Sequence, residues 1–226
     1  MSTTTITAKV NNTVSKNRIN NIVQQLYSIS REFSFNDPNI RHSVDYYIDY
    51  AFKLLFYRFL SENLTHYLNK NLQKFYPNFD YTKILDKPDT QITPLFEFYA
   101  ELGREQTIAK KGFFILPSQL FCNVLKQGEN QKDVKEIIKG IFLDISTREM
   151  RKEWRNMFLS LNLIYDDLAF KFSEKTEENN KKILEIMEAV SKIPLDDLVE
   201  ETSDYKIDKI LEWRRKTKKE IKKMLK

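Results

Sequence analysis

Residues 49–61 read DYAFKLLFYRFLS and lie inside a longer segment, 43–73, that predicts the central helix of the fold. Apolar residues recur on one face of this segment at helical spacing, at Val44, Ile48, Ala51, Leu55 and Phe59. A second set widens that face and consists of Phe52, Leu54, Phe56 and Leu60. A helix that is apolar on several sides is typical of a buried position, so we predict this one at the centre, with Ser43 as its N-cap.

The sequence on either side of this segment predicts further helices joined by polar loops. The predicted helices share apolar residues at helical spacing and run from Asn17 to a break at 36–39, over 94–102, from Ser118, from Asp133, over 154–161, from Thr176 to Pro194, and over 204–225. Polar residues predict loops over 76–93 and 103–111 and a break over 199–203. Residues 112–117 (GFFILP) predict an extended apolar segment.

The composition supports a helical fold. The 226 residues include only four glycines and six prolines, with 41% hydrophobic and 31% charged residues. A β-sandwich or barrel needs many more turn residues than this. We therefore expect an all-α fold, an irregular multi-helix bundle around a long buried helix, with a C-terminal basic amphipathic helix. The predicted division is a disordered arm over 1–16, a helical domain over 17–198 and the basic helix over 199–226.

The cysteine usage and the first residues bear on the compartment of the protein. Cys122 is the one cysteine, which excludes an internal disulfide and a cysteine cluster for metal. Residues 1–15 are polar and lack the apolar core of a secretory signal. No uninterrupted apolar run is long enough to cross a bilayer. We expect a soluble, cytoplasmic protein with no membrane partner.

Three segments carry a resemblance to a known family. They are residues 49–61 (DYAFKLLFYRFLS), 112–121 (GFFILPSQLF) and 178–187 (ENNKKILEIM). In this order they resemble the helical N-terminal domain of the modification (M) subunit of type I restriction–modification methyltransferases. That family has a long core helix ending in leucine–serine, a glycine–aromatic–proline–aromatic pattern, and an asparagine-containing helix. The resemblance covers residues 17–195, although residues 175–178 lack the leucine–glycine and arginine expected before the third segment.

The resemblance implies a link with site-specific adenine-N6 DNA methylation, which in the full-length family uses S-adenosylmethionine. Its cofactor pocket needs closely spaced glycines after a strand, because absent side chains let the backbone approach the ligand. No two glycines here lie within a few residues of each other, and no proline follows an asparagine or another proline. The asparagine-proline-proline-aromatic loop that holds a flipped adenine is therefore missing. We expect no catalytic, cofactor-binding or metal-binding residues in this chain.

Basic residues are concentrated at the C-terminal end of the chain. The formal net charge is +5, yet residues 206–226 alone contain ten basic and three acidic residues. Such a run predicts either phosphate contacts, with salt-dependent affinity, or the solvated face of an amphipathic helix, and a membrane-surface helix ranks lower. A second basic group, Arg104, Lys110 and Lys111, precedes Gly112. A solubilising loop is the favoured interpretation of this group, and contact with DNA is the alternative. The candidate DNA-binding residues are Arg104, Lys110, Lys111, Arg214, Arg215, Lys216, Lys218, Lys219, Lys222 and Lys223.

These observations support one leading hypothesis and two alternatives. The leading hypothesis is a truncated M-subunit-like domain, non-catalytic alone, that contributes to subunit assembly and DNA binding in a type I system. Its expected partners are M and specificity subunits and double-stranded DNA. The first alternative is one component of a split adenine-N6 DNA methyltransferase whose catalytic half is supplied in trans. The second is an unrelated helical interaction protein with a basic amphipathic tail.

Overall fold

A computed structural model of the chain describes residues 3–37, 43–87, 99–128, 133–159, 172–173 and 175–226. The side chains of residues 3–16, 153, 157 and 159 lie outside this description. Nine α-helices occur in the described residues: α1 (Thr3–Phe35), α2 (Val44–Leu72), α3 (Arg104–Lys111), α4 (Phe121–Gln127), α5 (Val134–Thr147), α6 (Lys152–Leu159), α7 (Thr176–Ser191), α8 (Asp196–Thr202) and α9 (Ile207–Met224). Short 3-10 helices span Tyr81–Lys83, Ala100–Gly103 and Pro117–Gln119. The described part of the chain contains no β-sheet, which confirms the all-α prediction.

Helix α2 lies at the centre of the core, as its sequence predicted. Every residue from Tyr50 to Ser61 is buried, and α2 packs against α1, α4, α7 and α8. Its apolar residues point in all directions because neighbours cover the helix on several sides. Ser43 occupies the predicted N-cap position, but among the described contacts its side chain makes no cap hydrogen bond. The carbonyl of Ser43 accepts instead from the backbone N–H groups of Tyr46 and Tyr47, at 3.0 and 3.3 Å.

Buried polar side chains join the three family-like segments to the neighbouring helices. Ser61 Oγ accepts a hydrogen bond of 3.1 Å from the backbone N–H of Phe121, the first residue of α4. Asn180 Oδ1, on α7, accepts one of 3.0 Å from the N–H of Val134, the first residue of α5. The first N–H groups of a helix have no partner within it. Each of these side chains therefore supplies a hydrogen-bond acceptor for the first N–H group of another helix and holds that helix against the core.

Helix α3 corrects the prediction of a flexible loop over residues 103–111. The chain forms an α-helix over Arg104–Lys111, and Gly112 ends it with a left-handed φ of 89°. The N–H of Gly112 donates to the carbonyl of Ile108 at 2.9 Å, which is the usual way a glycine closes a helix. The helix was missed because it is short and polar, so its apolar periodicity is weak.

Other boundaries also differ from the sequence predictions. Helix α8 (Asp196–Thr202) overlaps the predicted polar break at 199–203 and buries Leu198, Val199 and Thr202. The helix was missed because seven residues are too few to show a periodic pattern. Helix α1 begins at Thr3 rather than near Asn17. The predicted helix over 94–102 falls largely outside the described residues, which resume at Tyr99. The extended segment predicted over 112–117 is confirmed for residues 113–116, which are not helical, whereas Pro117 begins a 3-10 helix. Phe113 forms an isolated bridge with Met150.

Helix α9 is packed on the helical body. It contacts α1 and α6, and Trp213 lies 4.5 Å from Phe59 of α2 between ring centroids. The residues that it buries are Ile207, Ile210, Leu211, Trp213, Arg214, Thr217 and Ile221. The division of the chain at residues 16 and 198 stays a prediction. Among the described residues, no helix is long and apolar enough to span a membrane.

Candidate nucleic-acid interface

The exposed face of α9 carries three cations in line, which we call the basic stripe. Arg215, Lys219 and Lys222 are exposed, and their spacing of four and then three residues places them on one face of a helix. They span roughly 10 Å along the helix axis at about 1.5 Å per residue. None of the three forms an ion pair with any described residue. Their charges are therefore available to an anionic partner.

Three further predicted lysines border the basic stripe and already have carboxylate partners. Lys216 Nζ lies 3.0 Å from Glu212 Oε1, and Lys223 Nζ lies 2.7 Å from Glu220 Oε1. Lys218, which is half-exposed, lies 3.6 Å from Asp49 Oδ1 on α2. Exposed pairs of this kind contribute little to stability, so Lys216 and Lys223 can exchange their partners for phosphate at small cost. Lys218 instead helps to hold α9 on α2.

Arg214 lies on the opposite face of α9, inside the protein. Its side chain is only 2% exposed, and its guanidinium lies over the rings of Phe52 and Phe56, at 5.5 and 5.2 Å from their centroids. Burial lowers the pKa of Arg214 to about 10, and the nearby Asp49 carboxylate opposes that change. A guanidinium can stack on aromatic faces in this way because it is planar and weakly hydrated. Arg214 therefore does not belong to the exposed face.

Lys111 is also buried, at 1% exposure. Its ammonium donates to Asn63 Oδ1 at 2.7 Å and to the carbonyls of Ser203 and Tyr205, both at 2.6 Å. The ring of Tyr67 lies 5.2 Å away. Burial lowers the pKa of Lys111 to about 7, against the opposing charge of Asp204. This lysine ties α2 and α3 to the turn before α9, which corrects its prediction as part of a solubilising loop.

Arg104 and Lys110 occupy the two ends of α3. The Arg104 guanidinium makes a bidentate pair with Glu149, through two hydrogen bonds of 2.6 Å. The hydrogen bond to Glu149 raises the pKa of Arg104. Lys110 is exposed and lies next to the buried Lys111. Of the ten predicted cations, the structure therefore turns Lys110 and the residues of the outer face of α9 toward solvent, and it uses Lys111 and Arg214 inside.

The position of Arg214 in the sequence could have separated it from the exposed cations. Arg214 follows Trp213 and stands four residues after Ile210, three before Thr217 and seven before Ile221, so it falls on the apolar face of the predicted helix. Lys111 offered no comparable signal. Its acceptors lie far from it in sequence, on residues 63, 203 and 205, and only the fold brings them together.

Two of the four glycines, Gly112 and Gly128, lie directly against side chains of other helices. Gly112 has a left-handed backbone, but a Cβ there would meet Ile207 Cγ2 at 2.5 Å, and a Cβ on Gly128 would meet Leu184 Cδ2 at 2.2 Å. The space that these glycines leave is filled by protein side chains rather than opened to a ligand. The described residues also lack a strand followed by a glycine-rich turn. Among the described residues, which include His66 but not His42, the histidine, cysteine and carboxylate side chains form no cluster suited to a metal ion.

Three surface clefts in the described residues have no residue of the basic stripe in their lining. One of about 500 Å³ is lined by residues 76–80 and 83–85. Another of about 440 Å³ lies between α1 and α7, and a third of about 180 Å³ lies between α1 and the start of α8. None of the ten predicted cations lines these three clefts.

The chain is 32% identical to the type I restriction enzyme MpnII methylase subunit of Mycoplasma pneumoniae over an alignment of 159 residues, and the match covers 66% of this chain. It is a homologue of a type I methylase subunit. This agrees with the resemblance of residues 49–61, 112–121 and 178–187 to the M-subunit domain. This chain spans about a quarter of the length of that subunit, 27%. No family model matches the chain, and no solved structure matches it.

Proposed function

We propose that residues 1–226 act as a non-catalytic, M-subunit-like domain of a type I restriction–modification system in the cytoplasm. The domain contributes to assembly with M and specificity subunits and binds double-stranded DNA. The observation that carries the DNA-binding proposal is the basic stripe, Arg215, Lys219 and Lys222, on a helix packed against a methylase-like body. Three exposed cations in a row, without carboxylate partners in the described structure, favour an extended anion such as a phosphate backbone.

The electrostatic part of this proposal predicts a specific salt dependence. Each phosphate contact with duplex DNA contributes roughly 0.9 to the slope of log affinity against log salt concentration. Three contacts from the basic stripe therefore contribute about 2.7 to that slope. Contacts between exposed cations and phosphates carry no direct sequence information, so we expect little preference between unrelated duplex sequences.

A mobility-shift titration across a salt series tests the proposal. The test variant is Arg215→Gln/Lys219→Gln/Lys222→Gln, and the matched control is Lys74→Gln/Lys126→Gln/Lys181→Gln. The control removes three exposed lysines that lie on α4, on α7 and just after α2, so both variants lose the same net charge. We expect the test variant to lose most of the salt dependence and the control to keep it. Equal losses in the two variants, or no binding by the unaltered chain, would refute the DNA-binding proposal.

The assembly part of the proposal is tested separately. The tagged chain is co-expressed with full-length M and specificity subunits from the same source and purified at high salt, where stripe contacts with carried-over DNA are weak. Stable co-purification supports a subunit-like role, and recovery of the chain alone contradicts it. Incubating the purified chain with S-adenosylmethionine and duplex DNA tests the non-catalytic claim. We expect no methyl transfer unless a second polypeptide supplies the missing glycine-rich and asparagine-proline-proline motifs.

A further inference from the structure

We infer that Arg214 and Lys111 are positioning residues that fix the rotational setting of α9, so that the basic stripe faces outward without either residue touching phosphate. This inference rests on the proposed DNA binding and concerns how the stripe is presented. The predicted cations then fall into two classes with different physical roles. The stripe residues supply charge to the partner, whereas the two buried cations orient the helix that carries them.

The geometry of Arg214 sets the rotation of α9 about its own axis. Neighbouring residues of a helix point about 100° apart, so turning Arg214 inward turns Arg215 toward the surface. The Arg214 guanidinium lies over Phe52 and Phe56, and Trp213 packs on Phe59. Lys218, one turn further along, reaches Asp49 on the same side of α2. These contacts run along one face of α2 and leave α9 one favourable setting.

Lys111 fixes the point from which α9 departs. Its ammonium binds the carbonyls of Ser203 and Tyr205, which lie in the turn between α8 and α9. The next residue, Gly112, lies so close to Ile207, the first residue of α9, that a Cβ would overlap it. The turn is held from the other side by Lys70, whose ammonium lies 2.6 Å from Asp204 Oδ2. The start of α9 is therefore clamped to α2 and α3 by charge and by close packing.

Loss of Arg214 or Lys111, the two anchor residues of α9, has a different consequence from loss of a phosphate contact. A helix released from its setting keeps all its stripe cations, so the number of phosphates that it neutralises is unchanged. The fraction of molecules with the stripe correctly presented falls, and the apparent dissociation constant rises in inverse proportion. If release leaves about one molecule in ten competent, the affinity falls about tenfold while the salt slope stays the same. Removal of a stripe cation instead lowers the slope by about one.

The experiment compares three single variants with the unaltered chain in the same salt series. Arg214→Met keeps an apolar stem over the phenyl rings and removes the charge, and Arg215→Gln removes a stripe cation one residue away. Ile141→Val, on α5, removes one buried methyl group and serves as a stability control. We expect Arg214→Met to bind duplex DNA at least about fivefold more weakly at an unchanged slope. Arg215→Gln should lower the slope, and Ile141→Val should leave both affinity and slope unchanged.

A second readout follows the helix directly. Amide hydrogen exchange over residues 207–224, measured without DNA, should speed up in Arg214→Met and in Lys111→Met but not in Arg215→Gln. If Arg214→Met does not fold, Arg214→Lys takes its place, because it keeps the charge and loses the flat stacking on the rings. A slope reduced by about one in the Arg214 variant, or an unchanged affinity with faster exchange, overturns the inference. Failure of the unaltered chain to bind DNA refutes the proposed function instead. Unchanged amide exchange in both Arg214→Met and Lys111→Met refutes only the inference that these residues hold α9 in place.

Discussion

Gly112 offers the sharpest test of how the family-like segment 112–121 is joined to the basic helix. Its φ of 89° lies in the left-handed region, where a residue with a side chain pays roughly 1–2 kcal/mol. A Cβ at this position would lie 2.5 Å from Ile207 Cγ2, and forcing extra volume into a packed site typically costs a further 1–3 kcal/mol. We therefore expect Gly112→Ala to lower the free energy of unfolding by about 2–5 kcal/mol.

A double-mutant cycle separates the two contributions. Ile207→Ala removes the methyl group that the new Cβ would meet, so in the Gly112→Ala/Ile207→Ala variant the overlap is relieved while the backbone strain remains. We expect the double variant to be more stable than the sum of the single effects predicts, by about 1–3 kcal/mol. Urea unfolding followed by the fluorescence of Trp154 and Trp213 measures all four proteins. A loss below about 0.5 kcal/mol in Gly112→Ala, which is the range of an ordinary surface change, would refute the close approach.

Two further predictions concern the buried polar groups. Burial lowers the pKa of Lys111 from 10.5 to about 7, so between these pH values the unfolded state binds more protons than the folded state. The free energy of unfolding, measured relative to Lys111→Met, should therefore rise with pH from 7 toward 10. The expected slope is at most about 1.4 kcal/mol per pH unit. Urea titrations of both proteins at pH 6, 7, 8 and 9 check the sign, and a fall over this range would contradict it. Ser61→Ala and Asn180→Ala should each cost about 1–2 kcal/mol, because the N–H groups of Phe121 and Val134 lose their acceptors; a change within about 0.5 kcal/mol would show that these bonds do not hold α4 and α5 in place.

The sequence was sufficient for the centre of the fold because the signal there is long. Helix α2 combines a 29-residue run with apolar residues on every side, and this pattern has few structural interpretations other than a buried helix. Helices α5 and α7 were predicted for the same reason, since each presents an apolar stripe over several turns. Helices α3 and α8 contain only eight and seven residues. Their stability comes from neighbours and from helix ends, which a periodic pattern does not contain.

The family-like segments were recognised by residue pattern, and the structure supplies physical reasons for single positions within them. The leucine–serine end of residues 49–61 places Ser61 where it caps α4. The glycine that opens residues 112–121 is required by the left-handed turn after α3 and by the contact with Ile207. The second asparagine of residues 178–187 caps α5. Each of these residues acts on a partner that is distant in sequence, so the role of each one becomes visible only in the folded chain.

The candidate cations were predicted as two groups, and the structure separates their buried members from their exposed ones. A run of lysine and arginine has one sign of charge throughout, so charge alone cannot tell Arg214 from Arg215. Desolvation separates them, because a cation can be buried only where rings, carboxylates or carbonyls replace its water. The Arg214 guanidinium lies over two phenyl rings, and the nearby Asp49 carboxylate favours its charge. The Lys111 ammonium donates to three oxygens. Since Arg215, Lys219 and Lys222 have no such partners in the described structure, their charges remain available to an external anion, whereas the buried cations are already used to hold the helix in place.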